Sequence, residues 1–290
     1  EEATRLLEHV VPLEPDGIIV QDFGVVGLIR DFFPGVDIHA STQMGIHNSA
    51  GVETAAAAGI SRVILERQVT LDELRSIVEK AQIEVEVFVH GALCCSLSGR
   101  CLFSSWIGGW SGNRGKCKQP CRRRYHSMEN GRKKESGFFF STQDLYYLDL
   151  LGRLSEIGVA SLKIEGRLKN DSHISSVVEA YRRGLDALAE GRGGDISEAK
   201  NVLSAAPGRR WSHGFASKED MEEVVQPSNI GVSGILIGEA AGAENARAAR
   251  GEDSSAKRLQ IRLNRSLFIG DRVRVQAKNG DESPSTSVQK

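Results

Sequence analysis

Glu84-Val85-Glu86-Val87-Phe88-Val89-His90-Gly91-Ala92-Leu93-Cys94 is the stretch on which the fold turns. Its first seven residues read as a buried strand, with Val85, Val87 and Val89 on one face and Phe88 on the other, since successive strand side chains alternate. Upstream, Gly17–Gln21, Val36–Ala40 and Arg62–Glu66 read as strands, with helices over Val25–Phe33 and Ser49–Ala58. Thr70-Leu71-Asp72-Glu73 has the form of a capping box and opens a helix that runs to about Ala81. Downstream, an insertion rich in Gly, Cys and Arg occupies Gly91–Lys134. The pattern resumes with a weaker strand at Phe138–Phe140, a helix over Asp144–Ile157, a strand at Ala160–Glu165 and a helix over Ser172–Glu190.

Strands alternating with helices at this spacing imply parallel pairing through right-handed crossovers. The expectation is an α/β fold of the TIM-like (β/α) barrel type that lacks its N-terminal strands in this chain. Residue 1 is Glu rather than Met and already lies in helix-like sequence, so the chain reads as a piece of something longer. An open doubly wound sheet is the alternative, but no Gly-x-Gly-x-x-Gly follows an early strand. Residues 1–190 are assigned to the partial barrel, with the cysteine-rich insertion at 91–134. Residues 191–228 read as a linker with a helical segment. Over 229–279 the pattern changes to period two, at Ser233–Glu239, Arg258–Leu263 and Asp271–Gln276, which suggests a small antiparallel β-barrel. Leu267–Val273 reads as strand, Gly-Asp turn and strand, and 280–290 as a disordered tail.

Composition bounds the function without naming it. The chain has 290 residues, 37 Lys+Arg against 38 Asp+Glu, and is 40% hydrophobic. These values exclude collagen, a coiled coil and a fully disordered chain. A net charge of −1 argues against a protein that coats nucleic acid over its whole surface. No apolar run is long enough to span a bilayer and no signal peptide opens the chain.

All five cysteines, Cys94, Cys95, Cys101, Cys117 and Cys121, fall in the insertion. Clustering in a long chain points to a metal or redox centre rather than a disulfide framework, and exposed thiolates point to the reducing cytoplasm. Four of them follow the pattern C-x6-C-x15-C-x3-C. Thiolates exclude magnesium and calcium as the intended metal. Structural zinc usually takes two short knuckles, and here only Cys117–Cys121 is short, so the spacing leans toward an iron–sulfur cluster over zinc. Cys95 reads as a small buried hydrophobe. The same insertion carries Arg114, Lys116, Lys118, Arg122, Arg123 and Arg124, a patch that would attract phosphate or offset a thiolate-ligated cluster. Trp106 and Trp110 read as a cover for the metal group, with base stacking as the alternative.

In a parallel barrel, residues at the C-terminal strand ends face the active site. Here those are Gln21, Asp22, His39, Ser41, Gln43, Glu66, His90, Lys163, Glu165 and Arg167. Lys163, Glu165 and Arg167 would share one strand face, with Glu165 between two cations that clamp a carboxylate ligand.

Phe88–Cys94, Ser98-Gly99-Arg100-Cys101, Ser111–Cys117 and Gln119–Arg122 resemble the signature of the U32 family, long labelled collagenase-like peptidases. Val20-Gln21-Asp22, His39–Met44 and Leu162–Arg167 match its other blocks in the same order. The resemblance implies an oxygen-independent hydroxylase carrying a four-iron (4Fe-4S) cluster on Cys94, Cys101, Cys117 and Cys121, with prephenate as source of the hydroxyl group. The implied substrate is a pyrimidine in tRNA or in 23S rRNA, or else a ubiquinone precursor, and an electron-donor protein is an implied partner. In that reading Glu165, His90 and Lys163 are catalytic. His39, Gln43 and Arg167 hold the cosubstrate, and Arg114, Lys116, Arg122, Arg123 and Arg124 hold RNA. Proteolysis is the competing reading, but the chain has neither His-Glu-x-x-His nor Gly-x-Ser-x-Gly.

Overall fold

In the computed structural model, residues 1–167, 169–192, 196–204, 206, 208–227, 237–245, 257–275 and 285–289 are described. The chain divides into two compact units, Glu1–Gly231 and Val232–Lys290.

The first unit opens with α1 (Glu2–Val10), then β1 (Ile18–Val20), α2 (Phe23–Phe32), β2 (Ile38–Ala40), α3 (Ser49–Ala57), β3 (Arg62–Ile64), α4 (Leu71–Val78) and β4 (Glu84–Ala92). These four strands pair in parallel in the order β1-β2-β3-β4, as Ile19↔His39↔Arg62↔Glu84 records. Helices α2, α3 and α4 are each started by a side chain that satisfies free N–H groups. Asp22 accepts from Gly24 and Val25, and Asn48 accepts from Gly51. The Thr70/Glu73 capping box forms as its sequence predicts. Val26, Ile29, Val52, Ala55, Leu71, Leu74 and Ile77 from the helices close one core with Ile38, Ala40, Val63 and Val85. Each Val, Leu or Ile among them contributes about 1.5–3 kcal/mol on burial.

After β4 comes the insertion, with α5 (Phe103–Gly108) and a hairpin of β5 (Tyr125–Glu129) and β6 (Arg132–Gly137). Then follow β7 (Asp144–Tyr146), α6 (Leu151–Ile157), β8 (Ser161–Ile164), α7 (Asp171–Ala189), α8 (Ser197–Leu203), β9 (Trp211–Ser212) and α9 (Lys218–Glu223). The sheet has seven strands in the order β1-β2-β3-β4-β7-β9, with β8 also paired, in parallel, to β4.

Three expectations are corrected. Phe138–Phe140 forms no strand: Phe138 is fully buried, and its N–H donates to the Pro227 carbonyl at 2.8 Å. Asp144–Tyr146 is not the start of a helix but an antiparallel strand, paired as His90↔Tyr146 and Ala92↔Asp144. β4 runs beyond His90 and offers a free edge there, and Leu145 and Tyr146 bury against it. Tertiary pairing thus overrides local helix propensity. Residues 191–228 are part of the first unit, with Ala199 and Leu203 of α8 buried and β9 added to the sheet beside β7. Residues 193–195, 205, 207 and 228 of the expected linker lie outside the described residues.

Among the described residues the second unit holds two antiparallel pairs: β10 (Gly238–Asn245) with β11 (Lys257–Leu263), and β12 (Arg272–Arg274) with β13 (Ser285–Ser287). Leu267–Ile269 is not a strand. The chain turns at Gly270 (φ +95°), and β12 pairs instead with β13, inside the tail expected to fray. Residues 233–236 of the expected first strand, 276 of the expected third and 280–284 and 290 of the tail lie outside the described residues. Among the described residues no helix is long and apolar enough to cross a membrane.

Gly91 has φ +107°, and a Cβ built there would stand 2.1 Å from the Glu165 carbonyl oxygen. Any side chain meets both a conformational penalty and a backbone clash. Gly91→Ala is expected to lower unfolding free energy by about 2 kcal/mol or more, read as a fall in the urea midpoint with an unchanged denaturant slope.

Candidate functional site

β4 carries the site because it changes partners as it leaves the sheet. Its pairing with β8 runs Glu86↔Ser161, Val87↔Leu162, Phe88↔Lys163 and then His90↔Ile164, so one extra residue bulges at Val89. The bulge exchanges the sides to which backbone groups point. The His90 carbonyl accepts from the Glu165 N–H at 2.8 Å, while the Val89 carbonyl accepts from the Tyr147 N–H at 2.9 Å and the Tyr181 hydroxyl at 2.7 Å.

The cysteine excursion is then clamped to neighbouring strand ends. The Glu66 carboxylate, only 3% exposed, accepts from the Ser98 N–H (2.7 Å), the Ser98 hydroxyl (3.1 Å) and the Arg67 N–H (3.0 Å). Arg67 donates to the Ser98 hydroxyl at 3.1 Å, with its guanidinium 4.3 Å from the Phe88 ring centroid. At Gly99 (φ +74°) a Cβ would stand 2.0 Å from the Gln43 carbonyl oxygen, so backbone rests on backbone. The Arg122 guanidinium donates to the carbonyls of Leu93 and Thr142 and to the Ser141 hydroxyl. Charge-assisted bonds of this kind fix the far end of the excursion.

Four of the sulfurs share one neighbourhood. The Cys95 thiol donates to the Cys121 sulfur, and Cys94 feels the charge of both Cys101 and Cys121. That hydrogen bond, helped by the Arg122 and Arg209 guanidiniums, brings the Cys121 thiol down to about 6, against the opposing effect of burial. The bond pushes the Cys95 thiol up, as does burial, and burial raises the Cys94 thiol too. Cys117 stands apart, exposed on its turn, with its sulfur accepting the Gln119 N–H at 3.3 Å. Among the described residues no three His, Cys, Asp or Glu side chains are gathered closely enough to hold a metal ion. The donor chemistry still suits a soft metal: thiol sulfurs on one loop, an N–H aimed at one of them, and guanidinium counter-charge beside another.

His90 follows directly before the excursion. It is 2% exposed, with its Nδ1 buried and without a hydrogen-bond partner. Its ring lies among those of His173, Tyr181 and Trp211, at centroid distances of 6.4, 5.6 and 6.1 Å. Burial, with the charge of His173 and Lys169, lowers it to about 4, so the imidazole is neutral at pH 7. Gln43 Oε1, Gln68 Oε1, Arg67 Nε and Arg209 Nε are also buried and unpaired. All four side chains arise just beyond C-terminal strand ends or next to β9. Buried polar groups are rarely left so, and each is a candidate contact for a polar ligand.

A cavity of about 440 Å³ adjoins this region, lined by Tyr146, Asp149, Lys200, Trp211, His213 and Asp220 among others. Tyr146 stacks on Trp211 at 5.2 Å and 9°. His213 is gripped at both nitrogens, Nε2 by Asp149 (3.0 Å) and Nδ1 by Asp220 (3.3 Å). The Asp149 hydrogen bond first, and the charge of both carboxylates, raise its pKa against burial.

Several site residues do not sit where the sequence pattern puts them. β8 ends at Ile164, so Lys163, Glu165 and Arg167 do not share a strand face. Lys163 pairs with Glu86 at 2.7 Å, and Glu86 also meets Arg62 at 3.3 Å. Burial opposes ionisation of Glu86, but Lys163, Ser161 and Arg62 outweigh it and hold the carboxyl below its usual range. His39 belongs to this mid-sheet ladder rather than to the rim: it lies beside Arg62, and burial and that charge lower its pKa. Glu165 and Gln43 do reach the rim. Arg167 approaches the excursion, with its Nη1 3.7 Å from where a Gly115 Cβ would be. Of the expected phosphate-binding cations, Arg114, Lys116 and Arg123 are exposed. Arg122 is spent on backbone carbonyls, and Arg124 lies 4.8 Å from the Phe138 ring centroid. Arg67, Gln68, Asp144, Arg209, Tyr146, Trp211 and His213 escaped the pattern. A two-residue strand has no readable period, although Trp211-Ser212-His213 is a notable run of polar-tipped rings.

An α/β sheet with a thiol- and guanidinium-rich loop seated on its C-terminal edge is thus the class defined by fold and site. The chain belongs to peptidase family U32, whose model matches residues 1–226. It is 28% identical over 332 residues to tRNA hydroxylation protein P of Haemophilus influenzae, covering 95% of this chain and 70% of that protein. It is 36% identical over 179 residues to tRNA hydroxylation protein P1 of Bacillus subtilis, covering 59% of this chain and 42% of the relative. It is also 36% identical over 203 residues to the 23S rRNA 5-hydroxycytidine C2501 synthase of Escherichia coli, covering 69% of this chain and 30% of that enzyme. The chain therefore spans less than half of two of these three relatives.

Two outcomes are expected. Glu66→Ala strands the Ser98 N–H and costs about 1–3 kcal/mol; the 95–121 loop then becomes the first site cut in limited proteolysis. His213 stabilises the fold fully below its unfolded value of 6.5, and that contribution is lost as pH rises through its raised folded value. The urea-midpoint gap between wild type and His213→Gln should therefore be widest on the acid side and close on the alkaline side. Solvent screening of these part-exposed groups limits it to about 1 kcal/mol.

Proposed function

We propose that the protein is an RNA-modifying enzyme that hydroxylates a pyrimidine base in tRNA or 23S rRNA without molecular oxygen. The observation that carries this reading is the cysteine excursion itself, with its thiols and exposed cations, in a chain 95% of which aligns with a relative named for tRNA hydroxylation.

Cys94, Cys101, Cys117 and Cys121 would hold a 4Fe-4S cluster, which supplies one-electron chemistry when bound. The remaining roles belong to side chains of this chain. The unpaired Nε atoms of Arg67 and of Arg209, the latter paired through Nη1 with Asp144 at 3.3 Å, suit the carboxylates of a dianionic cosubstrate such as prephenate. Gln43 and Gln68 offer side-chain oxygens to its hydroxyl group. Lys163 and His39, committed to the Glu86–Arg62 ladder, orient the sheet beneath rather than bind the ligand. His90, neutral and buried, can accept a proton at Nδ1, with Glu165 held at its side by the backbone bond. Arg114, Lys116 and Arg123 draw the RNA backbone in through phosphate contacts. In this reading the sheet is an arc of a (β/α) barrel, the second unit a small β-barrel, the location cytoplasmic and the reductant an electron-donor protein.

The chain is also 30% identical over 176 residues to a Porphyromonas gingivalis protein named collagenase, covering 54% of this chain and 41% of that protein. Cleavage of denatured collagen by metal-free protein would favour peptidase chemistry. Mass spectrometry of nucleosides from cells lacking the gene tests the proposal. One pyrimidine nucleoside of tRNA or 23S rRNA should be lighter by one oxygen and restored by the wild-type gene, but not by Cys121→Ala. An unchanged nucleoside profile contradicts it.

A further inference from the structure

The two tryptophans of the excursion are both exposed. Trp106 is 86% exposed, with Leu102 and Ile107 near it in sequence at 70% and 56%. An indole so exposed leaves a large apolar face in water, and such a surface marks an interaction site. Its position is fixed. Ser104 of α5 is buried; its carbonyl accepts the Trp110 N–H at 3.3 Å and its hydroxyl accepts the Lys118 N–H at 3.0 Å. The Lys118 ammonium sits 4.4 Å from the Trp110 ring centroid. Trp110 thus has a cation on its ring, whereas Trp106, on the same short helix as Ser104, points outward. The chain turns away at Gly109 (φ +73°), where a Cβ would meet nothing within 4 Å, so the approach is open.

Charge identifies the occupant. From Val87 through Met128 the chain has no Asp or Glu, although it carries 38 elsewhere. The same run holds Arg100, Arg114, Lys116, Lys118, Arg122 and Arg123 among its cations. A surface for another protein would usually mix signs at its rim. An exposed indole on a run of chain that carries cations and no acid of its own fits a polyanion that carries flat rings.

We propose that Trp106 is a stacking platform for an unpaired base of the RNA, with Lys118, held on Trp110, and Lys116 neutralising the flanking phosphates. The inference rests on the RNA reading and deepens it: the enzyme takes a looped or single-stranded segment, not a duplex. Bases paired in a helix present no free face to a ring.

The test is binding by the full chain, purified anaerobically, of an RNA stem-loop with an unpaired pyrimidine loop and of a fully paired RNA duplex of equal length, across a salt series. Trp106→Ala should weaken stem-loop binding roughly 5- to 100-fold, leave duplex binding unchanged and keep the salt slope. Trp106→Phe should recover most of the affinity. Lys118→Gln should lower the salt slope by about one. If Trp106→Ala binds the stem-loop as wild type does, or loses both RNAs equally, the platform is refuted while the RNA reading stands. If wild type binds neither RNA at low salt but binds gelatin, the RNA reading itself falls and the platform with it.

Discussion

Backbone resting on backbone at two glycines is the constraint on which the site depends. Gly91 lies against the Glu165 carbonyl and Gly99 against the Gln43 carbonyl, each closer than any Cβ permits. The first contact brings the end of β8 to the end of β4; the second presses the cysteine excursion onto the β2–α3 connection. Between them the Glu66 carboxylate holds Ser98. A loop of this length would otherwise have a large conformational entropy. Three anchors hold the excursion at the sheet edge.

The electrostatics follow from this placement. Cys121 lies between a thiol donor and two guanidiniums, so its sulfur is the most readily ionised of those whose titration is perturbed. His90 lies in the opposite environment and stays neutral. Thiolate formation at the loop and an uncharged imidazole at its root coexist because one group is flanked by cations that favour its charge while the other is walled by rings. The Arg62–Glu86–Lys163 ladder keeps the remaining mid-sheet charges paired with one another.

Much of this is legible in the residues. The alternation of β1 to β4 with capped helices, the Thr70/Glu73 box and the cysteine excursion after His90 all follow from period and capping chemistry. What stays hidden is non-local. Asp144–Tyr146 resembles the start of a helix, and only the free edge of β4 makes it a strand. The Val89 bulge has no local signature, yet it decides which way His90 and Glu165 hold each other. Lys163 reads as a rim cation in sequence, but Glu86, far away along the chain, claims it. Arg122 likewise reads as a phosphate binder, but its partners are carbonyls of the chain itself.

On the proposed reading, the excursion carries a redox-active metal group to the edge of the sheet. Iron and acid-labile sulfide analysis of anaerobically purified protein, read together with its electron paramagnetic resonance spectrum after reduction, tests it most directly. Iron and sulfide in equal amount with a cluster signal, both abolished by Cys94→Ala, are the expected result. Stoichiometric zinc with no iron, or no metal after reconstitution, would contradict it.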